Sequence, residues 1–139
     1  MIIFLDSSAL VKRFIEESGS DKVEKLCMAS QEIVVSIISL PEIVSALNRR
    51  KREKTISSRQ YTEIKERLIL EFEDYLSCPF TPEIIESSIR ILERFPLRAM
   101  DAIHLASATS IPIDLFISAD VRQLNAAKQM RLKVKDLTV

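Results

Sequence analysis

The feature that most restricts this chain is a steady alternation between short apolar runs and longer stretches with helical spacing. IIFL at 2–5, IVVSI at 33–37 and LFI at 115–117 are apolar or β-branched and predict buried strands, with weaker candidates at 77–80 and 132–135. Between them, residues 8–17, 21–30, 39–54, 82–95, 97–110 and 121–129 predict helices, because their apolar residues recur three and four apart. Ser57 and Gln60 fit a capping box for one more helix, with Tyr61, Ile64, Leu68, Phe72 and Tyr75 along one side. Two parallel strands cannot be joined by a tight turn and need a crossover, usually a helix. The pattern therefore predicts an α/β fold, a parallel sheet with helices on both faces. The hairpin expected over 41–76 carries an apolar stripe that either packs into the core or offers a groove to a partner helix. Ile85, Ile89 and Leu92 are the expected stripe of the helix at 82–95.

Other features remove whole classes of function. The 139 residues are enough for one domain, with no repeat or linker. A single glycine, Gly19, excludes the glycine-rich loops that cradle nucleotide phosphates. Cys27 and Cys78 make neither a disulfide framework nor a zinc site, so a reduced cytoplasm is expected. The run at 33–38 is too short to span a bilayer, and the opening MIIFLDSS lacks the basic start of a signal peptide. The formal net charge is +0, which does not favour phosphate backbones. The stretch 48–54, however, carries Arg49, Arg50, Lys51, Arg52 and Lys54 against Glu53 alone. It reads either as a solvated helix end or as a phosphate-contacting patch.

Four acids stand out. Asp6 and Asp120 each follow a strand, where an N-cap and an active-site residue are both expected. Ser118 competes with Asp120 as cap. Glu42 lies three residues after Ser39, a capping-box spacing, and could equally reach the crevice beyond the second strand. Asp101 lies in the apolar helix 97–110, where an unpaired carboxylate costs on the order of several kcal/mol. Its bland explanation is an internal pair with His104, one turn further on. Two like charges about 4 Å apart repel by roughly 4 kcal/mol at an effective dielectric of ~20, so a convergent cluster would need a cation. Oxygen donors without a Cys or His cluster point to Mg2+ or Mn2+.

Read together, these segments resemble a known family. LDSSALVK at 5–12 resembles the opening motif of PIN domains, and SLPEI at 39–43 the segment carrying their glutamate. LRAMDAIHLA at 97–106 and FISAD at 116–120 are similar to their third and fourth acidic motifs. The order is right and the motifs span nearly the whole chain; length and opening resemble VapC-type toxins of toxin–antitoxin pairs. The resemblance implies a PIN-like three-layer sandwich with sheet order 3-2-1-4-5, which puts Asp6 beside Asp120. It implies a Mg2+- or Mn2+-dependent endoribonuclease with Asp6, Glu42, Asp101 and Asp120 as catalytic metal ligands, Asp120 directly or through water. Ser7 and Ser118 would orient those ligands from behind. Lys12, Arg98, Arg49 and Arg50 are candidates for contact with RNA or with an antitoxin protein, and a homodimer without membrane attachment is implied. Two departures are visible: Ser118 stands where threonine is frequent, and Met130-Arg131-Leu132 lacks a glycine usual before the last strand. The competing expectation is a non-catalytic binding module acting through the helical hairpin. An aspartate phosphatase is disfavoured, because Asp6 is followed by Ser7-Ser8 and not by a second acid two residues on.

Overall fold

The computed structural model describes all residues, 1–139. Its strands are β1 (Ile2–Leu5), β2 (Glu32–Ser36), β3 (Leu76–Cys78), β4 (Leu115–Ser118) and β5 (Val134–Asp136). They form one sheet in the order β3-β2-β1-β4-β5, every pairing parallel, as expected. The helices are α1 (Ser7–Leu10), continued by a 3-10 turn (Val11–Arg13), α2 (Ser20–Ala29), α3 (Ser39–Arg52), α4 (Ser58–Phe72), α5 (Pro82–Arg94), α6 (Ala99–Ser110) and α7 (Val121–Gln129).

Strand residues point alternately to the two faces, and each face has its own core. Ile3, Leu5, Val35 and Ile117 pack with Leu10, Val23, Leu47 and Leu68. Phe4, Val34 and Phe116 pack with Ile84, Ile91, Leu105 and Ala126 on the other side. Phe4 and Phe116 stack with ring centroids 5.5 Å apart. Leu5 is in register with Ile117, so the first residue past β1 stands beside Ser118. The chain leaves β1 toward one side of the sheet and β4 toward the other, and the crevice between these strand ends is where sites form in open α/β sheets.

Several expectations are corrected. The helix expected over 8–17 stops at Leu10 and ends in the 3-10 turn. Here polar side chains offer the backbone other partners: the Glu17 N–H donates to Ser20 Oγ at 3.0 Å. In α5 the expected stripe Ile85, Ile89 and Leu92 is exposed, and Ile84, Ser88 and Ile91 face the core instead. The helix has apolar residues on both sides, so periodicity alone cannot choose; packing against α6 does. The α3–α4 hairpin forms, with the Ser57–Gln60 capping box, but Ile43, Leu47, Leu68 and Phe72 are buried beneath it. Its stripe is therefore core. Where the usual glycine is missing, Arg131 takes a left-handed conformation at φ 66°, and β5 still pairs with β4.

Candidate active site

Asp6 begins the site. It caps α1 by accepting the Ala9 N–H on Oδ1 at 2.9 Å, and Ser8 donates to the same oxygen at 2.7 Å. Oδ2 accepts from Ser118 Oγ and from Gln123 Nε2 at 2.7 Å. Only 2% of the residue is exposed. A carboxylate has about four lone-pair sites, and here protein donors fill them all. Burial pushes the Asp6 carboxyl up, against the downward pull of His104, Ser118, Ser8 and the Ala9 N–H. The same hydroxyls join the two strand ends: Ser8 Oγ accepts the Ala119 N–H and Ser118 Oγ the Asp120 N–H, each at 2.9 Å. Ser118 is thus a donor to Asp6, not the competing helix cap.

Glu42 enters from the first turn of α3. Its Oε1 accepts from Ser7 Oγ and from His104 Nε2, both at 2.7 Å, while Oε2 receives no hydrogen bond from the protein. Burial favours the neutral form, but the His104 hydrogen bond, its charge and the Ser7 hydroxyl outweigh it and hold Glu42 below its ordinary range. Of the two alternatives for Glu42, the Ser39–Glu42 capping box is absent: Ile38 is the N-cap, with no side-chain cap bond. The internal Asp101–His104 pair, the bland alternative for Asp101, is absent too, because His104 turns to Glu42.

Asp101 occupies the first turn of α6 and is partly exposed; full burial begins only at Ala102. Its Oδ2 accepts the Arg98 N–H at 3.4 Å, a long bond, and Oδ1 accepts none. Asp120 caps α7, its Oδ1 accepting the Arg122 and Gln123 N–H groups at 2.9 and 3.3 Å, which leaves Oδ2 without a protein donor. Burial and then the charge of Asp120, with a smaller contribution from Asp6, push the Asp101 carboxyl up; the Arg98 N–H and His104 oppose them. Asp101 therefore lies within reach of the charges of both Asp120 and Asp6. No three acidic, His or Cys side chains, however, stand close enough together to hold an ion as they sit.

The chain matches the PIN domain family over residues 3–129. It is 31% identical over 134 residues to "Ribonuclease VapC46" of Mycobacterium tuberculosis, covering 95% of each chain. The chain belongs to the PIN-domain family. Solved structures share the fold at lower identity. One is VapC20 of M. tuberculosis, described as a sarcin–ricin loop cleaving toxin, at TM-score 0.71 and 19% identity, covering 89% of this chain and 94% of that one. Another is the FitAcB structure from Neisseria gonorrhoeae, at TM-score 0.70 and 17% identity over 98% of both chains.

In this PIN domain the local bonding of the acids is not uniform. Asp101, the acid that the sequence leaves hardest to explain by local structure, accepts its helix's cap N–H. Glu42, for which capping and a place in the crevice were both open, has no capping role. Gln123, which no sequence motif marks, is 1% exposed and bonded to Asp6. Only its position three residues past Asp120, facing inward on α7, could have signalled it. Among the basic candidates, Arg49 lines a cleft with Glu42, Ser45 and Met100. Arg98 is exposed at the mouth of α6. Lys12 and Arg50 instead both pair with Glu17, at 3.0 and 3.1 Å.

Proposed function

We propose that this PIN domain is a Mg2+- or Mn2+-dependent endoribonuclease and the toxin of a toxin–antitoxin pair. The observation that carries the reading is the group of acids at the β1–β4 crevice. Glu42, Asp101 and Asp120 each keep one oxygen free of protein donors, and Asp101 is pushed up by burial and then by the charges of Asp120 and Asp6. An oxygen-only set of like charges suits a hard divalent cation, whose arrival would relieve the repulsion. Asp6, Glu42, Asp101 and Asp120 would hold it, with one donor to Asp6 giving way first. When bound, such an ion supplies an acidified water and a counter-charge for the scissile phosphate.

This chain's own groups do the rest. Ser7 and His104 fix one oxygen of Glu42, and Ser8, Ser118 and Gln123 fix Asp6. Arg49, beside Glu42, is placed to meet a phosphate. The reaction is hydrolysis: water adds to phosphorus, the bond to the 3′-oxygen breaks, that oxygen leaves protonated, and the other fragment keeps a 5′-phosphate.

The non-catalytic alternative relied on the hairpin stripe, which faces the core. No helix is long and apolar enough to cross a membrane. On this reading the chain is a single cytoplasmic domain that forms a homodimer, checked by light scattering, and is silenced by an antitoxin protein. Relatives include a toxin–antitoxin complex from Klebsiella pneumoniae. The deciding experiment pairs RNA cleavage with thermal unfolding at rising Mn2+. Wild type should cut and gain stability with Mn2+. Asp6→Asn, folded by circular dichroism, should do neither, and full cleavage by that variant would end the proposal.

A further inference from the structure

His104 is a buried group that the acid motifs do not account for. It is 2% exposed, and its ring packs edge-on against Phe4 at 6.4 Å between centroids. Nε2 lies 2.7 Å from Glu42 Oε1, while Nδ1 is buried with no hydrogen-bond partner. A carboxylate can only accept, so Nε2 carries a hydrogen, and Nδ1 is left without a partner whether or not it carries one too. A core histidine serving only to fill space could be replaced by an apolar ring without stranding a polar atom. Keeping the imidazole leaves one buried nitrogen unsatisfied, which is destabilising.

Glu42 gains in return. Its glutamate side chain has three rotatable bonds and is only partly buried, so by itself it would sample several orientations. His104 from α6 and Ser7 from α1 reach the same oxygen, Oε1, from two different helices. Ser7 Oγ also lies 3.2 Å from His104 Nε2 and 3.1 Å from the buried Ser39 Oγ, which ties the three side chains into one cluster. Oε2 is left without a donor from the protein.

We infer that His104 is a positioning residue that, with Ser7, pins Oε1 of Glu42 so that Oε2 is presented to a divalent cation. The inference rests on the metal-dependent reading above. Its consequence is specific: the Nε2–H matters and the bulk of the ring does not. Glutamine can place an amide N–H near the position of Nε2; leucine cannot. Removing a group that orients a metal ligand typically weakens metal binding about 10- to 100-fold.

The test measures Mn2+ affinity of the full-length chain by electron paramagnetic resonance, without RNA, for wild type, Asp6→Asn, His104→Leu and His104→Gln. His104→Leu should bind Mn2+ about 10-fold or more weakly, and His104→Gln should recover most of the affinity. Nitrogen NMR of wild type, which needs no variant to fold, should find the proton on Nε2. If wild type binds no Mn2+, the metal-dependent reading fails and takes this inference with it. If wild type binds and Asp6→Asn does not, the inference alone is overturned by any of three results: His104→Leu equal to wild type, leucine and glutamine equally impaired, or no proton on Nε2.

Discussion

Replacing Ser118 with alanine removes two hydrogen bonds at the join of β1 and β4. The hydroxyl donates to the buried Asp6 carboxylate and accepts the Asp120 N–H. A bond to a charged group contributes about 1.5–3 kcal/mol and a neutral one about 1 kcal/mol. Ser118 is 0% exposed, so water cannot substitute, and the loss should total about 2.5–4 kcal/mol. For a chain of this size that lowers Tm by about 10 °C. Gln123→Leu is the informative companion. It also removes a donor to Asp6, but it abolishes the buried Gln123 Oε1, which has no partner. The two effects are each about 1–3 kcal/mol and opposite, so the net change should stay within about 1 kcal/mol. Urea unfolding in EDTA at pH 7 measures both.

The pH dependence supplies a second check. Burial raises the Asp6 carboxyl, so the folded state binds that proton more tightly than the unfolded chain does. The stability associated with the proton is fully present at low pH and is lost as pH rises through the folded value. Ser118 stabilises the charged form, so the deficit of Ser118→Ala should be largest at neutral pH and shrink in acid. Equal losses in the two variants, or a deficit that grows in acid, would refute the hydrogen-bond reasoning.

Three further outcomes follow from other positions. Asp101→Asn removes a charge that burial and Asp120 disfavour, so it should stabilise the metal-free chain near pH 7, with the gain fading as pH falls toward the unfolded carboxyl value; thermal melts across pH read this. Arg131→Gly relieves a left-handed residue at φ 66°, a strain of about 1–2 kcal/mol, partly offset by about 0.5–1 kcal/mol of glycine's chain entropy, so Tm should rise by a few degrees. Arg49→Ala should raise KM for RNA with little change in stability, whereas Arg50→Ala, whose guanidinium is paired with Glu17, should leave KM nearly unchanged; steady-state cleavage separates them.

The alternation of apolar strands and helical stretches determined the parallel sheet, because buried strands and their crossover helices leave local signatures in composition and period. The Ser57–Gln60 box and the capping roles of Asp6 and Asp120 were legible for the same reason: each bond joins residues two or three apart. Resemblance to PIN motifs named the four acids and the strand order. Tertiary structure decided what depends on residues far apart in the chain. It chose Ile84 and Ile91 over Ile85 and Ile89 as the inner face of α5, because both faces are apolar and only packing against α6 distinguishes them. It sent His104 to Glu42, 62 residues away, and Gln123 to Asp6, 117 residues away. Spacing along a helix reports which side chains share a face; it carries no record of what the opposite helix brings to meet them.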